Sequence, residues 1–259
     1  EFRRVLFRSV MQLSLVLITL NAEATLAKCL ASCDFIDDIV VVDSGSQDNT
    51  MAIAEQFGAR VIQQTWLGFG KQKQFAVQQA QYDWVLCLDA DEWLSDQLKH
   101  SIQQLRPDHK TWAFTMPRCN KFMGRFLKHG EGYPDWSLRL FHRQHAQWSD
   151  DVVHETVQYQ GLIGKLQGDL MHESGEVLGE YLRKQNRYTD LQAEALLAKQ
   201  KSPSASKMLL SPLVRFIKFY LVRQGWRDGL PGFVHISIGC MNSMMKYAKL
   251  YELQRKSRQ

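Results

Sequence analysis

Trp84-Val85-Leu86-Cys87-Leu88-Asp89-Ala90-Asp91-Glu92 is the stretch on which the fold turns. Apolar residues of strand length run straight into three carboxylates within four positions. Such a run reads as a strand covered on both faces, as in parallel sheets. Clustered carboxylates at the end of a buried strand repel one another and lose hydration, at a cost of several kcal/mol unless cations or hydrogen bonds compensate. Open α/β sheets bind ligands at the carboxyl ends of their strands. The natural compensator there is a divalent metal carrying a phosphate. In an extended backbone residues i and i+2 point the same way, so Asp89 and Asp91 are expected to reach one ion together. An all-oxygen set suits Mg²⁺ or Mn²⁺ better than Zn²⁺. The alternative is a helix N-terminus that favours acids through its dipole. On either reading Glu92 belongs to the start of the following helix.

Upstream, the same alternation repeats. Leu13–Thr19 is a strand; Ala22–Ser32 is helical, with Leu26 and Leu30 at i, i+4. Ile39–Val42 is a second buried strand, closed by Asp43, and Asp48-Asn49-Thr50 caps a helix that stops at Gly58. Arg60–Gln63 makes a third strand, Gly68 and Gly70 precede a helix from about Lys71 to Gln81, and Leu94, Leu98, Ile102 and Leu105 mark the helix that ends at Pro107. This β-α order predicts an α/β fold, a mostly parallel sheet flanked by helices. Asn21, Asp43 and Asp89/Asp91 then gather on one sheet edge.

The second half changes character. Trp112–Met116, Ser137–Phe141 and Val152–Tyr159 read as strands between Gly-, Pro- and aromatic-rich loops. From about Gly175 the pattern is helical, with a polar break at Lys201-Ser202-Pro203-Ser204 and apolar helices over Met208–Val222 and Phe233–Leu250. Arg215, Lys218, Arg223, Lys246 and Lys249 interleave with these apolar faces, as in helices that lie on anionic lipid. The expected organisation is a catalytic domain over 11–172 and a helical C-terminal region over 173–259, membrane-associating or packed back on the domain. Residues 1–10, ahead of Met11, read as a non-native extension.

The 259 residues suit one large α/β domain with an appendage, and the formal charge of +5 fits an anionic substrate or a membrane surface. The cysteines, Cys29, Cys33, Cys87, Cys119 and Cys240, are odd in number and lack zinc-type spacing, so free thiols in a reducing cytoplasm are expected. No apolar stretch reaches the length of a transmembrane helix. Because the best-formed cluster is acidic, nucleic acid is not an expected partner.

Three segments together carry a resemblance: Leu17-Ile18-Thr19-Leu20-Asn21-Ala22-Glu23, Val42 to Thr50, and Leu88-Asp89-Ala90-Asp91-Glu92. They resemble family 2 glycosyltransferases with the GT-A, Rossmann-like fold. Tyr133 to Phe141, Val153-His154-Glu155, Lys184 to Thr189 and Gly225 to Gly229 resemble the lipopolysaccharide core, WaaE-like glucosyltransferase subgroup. The resemblance implies a UDP-sugar donor, inversion at the anomeric carbon, Mg²⁺ or Mn²⁺, and a lipopolysaccharide core or related lipid-linked acceptor at the inner face of the cytoplasmic membrane. It also assigns residues. Thr19, Asn21, Glu23 and Asp43 would hold the nucleoside. Asp91 with Asp89 would hold the metal and diphosphate. His154, which follows a strand, is read as completing the metal site or contacting phosphate, with a structural histidine as the alternative. Lys71 and Lys73 would meet phosphate or donor sugar unless they are a solvated helix face. Many members carry Asp-Asp where this chain has Asp43-Ser44, so only the first acid carries over.

Inversion needs a base on the face opposite the leaving diphosphate. Asp135, between Tyr133-Pro134 and Trp136, is the expected base, its basicity raised by desolvation among aromatic rings. The alternative pairs it with Arg139, itself a candidate for binding diphosphate. His172 is a weaker candidate for a functional role. Two rival readings stand beside transfer. A sugar nucleotidyltransferase of similar fold usually has a glycine-rich basic loop after its first strand, and Thr19–Thr25 has none. The other rival is a non-enzymatic basic lipid-binding module.

Overall fold

A computed structural model describes residues 11–150, 155–175, 177–202 and 204–256. The extension 1–10, His154 and the first residues of the Val152–Tyr159 strand lie outside that range. The chain divides into two compact units. One spans residues up to Arg118 and Asp135–His172; the other combines Cys119–Pro134 with Glu173 onward.

The first unit begins with the expected alternation: β1 (Leu13–Thr19), α1 (Leu26–Ser32), β2 (Asp38–Asp43), α2 (Thr50–Gln56), β3 (Arg60–Gln63), α3 (Phe69–Gln78) and β4 (Trp84–Asp89). Next come β5 (Glu92–Leu94), α4 (Asp96–Gln103) and β6 (Thr111–Phe122), which runs on into the second unit. There β7 (Arg125–Phe126) pairs with the end of β6. Back in the first unit are β8 (Asp135–His142), β9 (Ala146–Trp148), β10 (Val157–Tyr159), β11 (Leu162–Lys165) and β12 (Leu170–His172). The sheet order is β3-β2-β1-β4-β8-β6-β12-β5. Strands β1 to β4 are mutually parallel. From β8 onward the sheet is mixed: β8 runs antiparallel to β4 and β6, and β12 to β5. The expectation of a mostly parallel sheet thus holds for the first half alone.

Alternation along β1 explains the layering. Leu13, Leu15 and Leu17 join Leu86 and Leu88 on one face, under Leu26 and Leu30 of α1 and Leu98 and Ile102 of α4. Val16 joins Val40, Val42, Val85 and Cys87 on the other, against Ala76 and Val77 of α3 and Trp148. Each fully buried Leu or Val contributes roughly 1.5–3 kcal/mol. Helices on both faces leave only the strand ends open to ligands.

The acidic segment departs from expectation. β4 stops at Asp89, Ala90-Asp91 is a turn, and Glu92 opens β5 instead of a helix. Helix α4 begins later, with Ser95 as its N-cap accepting from the Leu98 N–H at 3.3 Å.

The second unit holds α5 (Leu178–Ala198), α6 (Ala205–Phe216), a π-helical turn over Ile217–Val222, a short 3₁₀ turn at Gly225–Asp228, and α7 (Gly229–Lys256). Lys249 of α7 reaches Thr189 Oγ1 at 2.8 Å and Asp190 at 2.6 Å on α5. Asp228, nearly fully buried, accepts from the Lys128 and His129 N–H groups at 3.0 and 2.8 Å and thereby fixes the 119–134 excursion. At Gly225 an added Cβ would stand 2.3 Å from Ile236 Cδ1, so only glycine permits that approach.

Candidate active site

The site lies at the carboxyl ends of β1, β2 and β4, in the first unit. Two loops lace together there. The Asn21 N–H donates to Ser46 Oγ at 2.8 Å, and Asn21 Oδ1 accepts from the Gln47 N–H at 2.8 Å. Asn21 holds φ near +50°, a left-handed conformation that asparagine tolerates. Glu23 Oε2 accepts from both nitrogens of Asn49 at 3.0 Å. Asn21 and Glu23 are exposed, so they shape the rim of the edge while tying β1's loop to β2's.

Asp43 occupies a different position from the one expected of a nucleoside contact. It is fully buried. Its Oδ1 accepts from the Gly45 and Ser46 N–H groups at 2.9 and 2.7 Å; its Oδ2 accepts from Ser46 Oγ and Thr19 Oγ1 at 2.5 and 2.8 Å. A carboxylate has about four lone-pair sites, and all are filled from within the protein. Burial works to raise its pKa, but these hydrogen bonds outweigh burial and hold it below the ordinary aspartate value. Thr19 and Asp43 therefore form a latch that shapes the loop, and neither offers a spare group to a nucleoside.

At the end of β4 the carboxylates meet cations instead. Asp89 receives Arg139 Nη2 at 2.6 Å and Lys73 Nζ at 3.0 Å. Burial opposes its charge; Arg139 first and Lys73 second outweigh that and hold it far below the usual carboxylate range. Glu92 is completely buried, 2.8 Å from Arg139 and 3.4 Å from Arg118. Lys73 also reaches Glu155 at 3.1 Å and stands 4.7 Å over the Trp148 ring. Gly70 sets this approach: an added Cβ would lie 2.0 Å from the Ser149 carbonyl oxygen. Of the two helix lysines, Lys73 is drawn into the network while Lys71 stays exposed, as on a solvated face.

Asp91 is separate. It sits in the turn, with Oδ2 3.3 Å from His172 Nε2 of β12, and both side chains are partly exposed. The paired-carboxylate geometry expected of an extended strand is therefore absent: Asp89 faces two cations and Asp91 faces a histidine. Among the described residues no group of three or more His, Cys, Asp and Glu is arranged around a common point. One carboxylate and one imidazole still fit a hard divalent cation whose remaining positions are filled by substrate phosphates and water.

Asp135 lies at the start of β8, and its side chain is 40% exposed. Its Oδ2 accepts from Arg118 Nε at 2.9 Å and Nη2 at 2.7 Å. The expected aromatic enclosure gives way to a guanidinium partner, and that partner is Arg118 instead of Arg139. Arg139 is buried under Asp89 and Glu92, which commits it to the network, and its Nε has no hydrogen-bond partner among the described residues.

Sequence reasoning missed Glu92 and Arg118 and underrated His172. Arg118 lies beyond the Trp112–Met116 run read as a strand, and only the pairing of β6 with β8 places it beside Asp135. Cys29, Cys33, Cys87, Cys119 and Cys240 form no disulfide with one another, and burial pushes the Cys33 and Cys87 thiols up to about 12. Cys29, Cys33 and Cys87 pack in the core.

The chain resembles known proteins over most of its length. It is 30% identical over 248 residues to the lipopolysaccharide core biosynthesis glycosyltransferase LpsC of Rhizobium meliloti, covering 93% of this chain and 92% of that one. It is 31% identical over 260 residues to an uncharacterized glycosyltransferase of Rickettsia typhi, covering 95% and 89%. Among solved structures, S. aureus TarS 1-349 in complex with UDP-GlcNAc matches with a TM-score of 0.49 and 16% identity over 95% of this chain and 92% of that one. The family model for Glycosyl transferase family 2 matches residues 14–165, from β1 through β11. This chain is a family 2 glycosyltransferase with an α/β fold.

Proposed function

We propose that the enzyme transfers a hexose, glucose, from a UDP-sugar to a lipopolysaccharide core or related lipid-linked glycan, with inversion at the anomeric carbon. The observation that carries this reading is the segregation at the strand ends, where Asp89 and Glu92 are neutralised by Lys73, Arg139 and Arg118 while Asp91 and His172 remain partly open. A nucleoside diphosphate brings negative charge that only a positively compensated edge can accept. The acceptor class is supported by the relation to LpsC across nearly the whole of both chains.

Asp91 and His172 are the residues that would hold Mg²⁺ or Mn²⁺, which would neutralise charge on the departing diphosphate. Asp135 is the base for the acceptor hydroxyl. Arg118 orients the carboxylate at 2.7 Å, and its exposure leaves it reachable by an acceptor hydroxyl. Asn21, Glu23 and the exposed Lys71 line the donor rim, and Thr19 and Asp43 hold that rim in shape.

The reaction belongs at a membrane surface. Among the described residues no helix is long and apolar enough to cross a membrane. Yet α6 buries none of its residues, with Leu209, Leu213 and Val214 exposed by 67%, 56% and 62%. Lys207, Lys218, Arg223 and Arg227 accompany them, and no Asp or Glu stands between Glu194 and Asp228. An apolar face flanked only by cations suits anionic lipid.

UDP release from a panel of UDP-sugars, with and without a core oligosaccharide acceptor and with Mg²⁺, Mn²⁺ or EDTA, tests the reading. Acceptor-dependent UDP release from UDP-glucose is expected. Release from no UDP-sugar under any of these conditions would overturn it.

A further inference from the structure

The second unit contains a polar cavity of about 110 Å³, enough for several waters or one tetrahedral oxyanion. Glu131, Tyr181, Gln185, Arg215, His235 and Lys246 are among its walls. Its charges do not balance. Glu131 is taken by Arg215, whose Nε lies 3.0 Å from Glu131 Oε2 and whose Nη2 meets Oε1. Among the described residues Lys246 has no carboxylate partner, and His235 Nδ1 is a buried polar atom with no hydrogen bond. Burial first, and Arg215 second, lower the pKa of both Lys246 and His235, and Asp228 offsets part of this at His235. The space is kept open by α7 itself: a Cβ at Gly239 would stand 2.5 Å from Glu131 Oε2 and 3.0 Å from Arg215 Nε. Asn242 Nδ2 donates to Gln185 Oε1 at 2.8 Å and orients both amides at the wall.

An orphaned buried nitrogen is costly unless something occupies the cavity, and half-buried Lys246, whose Nζ stands 5.2 Å from the Tyr247 ring, brings a positive charge to the same wall. We propose that this cavity binds a phosphate-class oxyanion, with Lys246 supplying the charge and His235 Nδ1 a hydrogen bond. The site belongs to the second unit, shares no residue with the strand-end edge and does not depend on the transfer reaction. The same chemistry is offered by inorganic phosphate and by a phosphate monoester on a lipid headgroup.

The test is calorimetric titration of the full chain with inorganic phosphate, for the native sequence and for K246M, K246R, G239A and, as an exposed control in the first unit, K110M. Thermal melting confirms that each variant is folded, and NMR of the His235 ring reports occupancy directly. Expected are binding weakened at least tenfold in K246M, lost in G239A, retained in K246R and K110M, and a His235 shift on phosphate addition. Should G239A fail to fold, K246M and the His235 signal carry the test. Short-chain phosphatidic acid that displaces phosphate would identify a headgroup ligand, and failure to displace would identify free phosphate; both support the site. Phosphate binding of native strength in K246M, or no binding by the native chain at millimolar phosphate, would overturn it.

Discussion

Strands β2 and β4 lie in one sheet, and each ends in an aspartate, yet the two ends do opposite things. Asp43 is sealed, its oxygens filled by Thr19, Gly45 and Ser46. Asp89 is compensated by side chains from α3 and β8, and the turn beyond it leaves Asp91 beside His172. The difference lies in who supplies the compensation. Local donors make a latch, which fixes loop shape. Distant cations make a charged shelf, beside which Asp91 stays partly exposed. An aspartate at a strand end is thus no evidence of ligand contact until its partners are known.

That contrast can be broken experimentally. The largest effect is expected at Asp91: replacement by Ala should reduce transfer to background, roughly 10²–10³-fold or more, with the melting temperature nearly unchanged. Retained turnover in Asp91→Ala, or full native activity in EDTA, would remove the metal role. Asp135→Asn should lower kcat by roughly 10²-fold or more, with little change in donor KM; equal losses in both would mark it as structural. Asp43→Ala should behave in the opposite sense, costing about 2–4 kcal/mol of stability by orphaning buried donors, as read by urea unfolding. A folded, fully stable Asp43→Ala with weakened UDP binding would restore it as a nucleoside ligand.

The same latch predicts a pH dependence. Asp43 and, at the other edge, Asp38 have lowered folded-state pKa values. Their contribution is complete above the unfolded aspartate value of about 3.9 and is lost as pH falls through the lower folded values. Acid unfolding of the native chain should therefore steepen below about pH 4, and Asp43→Asn should flatten that slope. The smallest effect is expected at Lys71, where Ala should change stability by no more than about 0.5 kcal/mol, whereas Lys73→Met, which strips Asp89 and Glu155 of a partner, should cost far more. Comparable losses at the two lysines would mean that Lys71 contacts the donor.

Much of the first unit was legible in the sequence. β1 and β3 stand as read, and β2, β4 and α1–α4 differ from the reading only at their ends, because buried parallel strands and capped helices announce themselves by local period and turn chemistry. The reading failed where a residue's state depends on pairing across the sheet. Glu92 followed carboxylates and preceded an amphipathic run, so it read as a helix start; antiparallel pairing of β5 with β12 makes it a strand residue opposite His172. Asp135 stood among aromatic residues, so it read as desolvated; register with β6 places Arg118 opposite it.

By itself the sequence determined the alternation of strands and helices, the gathering of polar residues on one sheet edge, and the acid-free basic and apolar character of residues 195–227. These follow from hydrophobic period and composition, which act over a few residues. Only the tertiary structure decided which carboxylates are sealed, which are neutralised and which stay open. The partners that decide it, Arg139 for Asp89, Arg118 for Asp135 and His172 for Asp91, lie far away in the chain and meet only through sheet register. Electrostatic compensation acts through distances in space, and no local pattern encodes them.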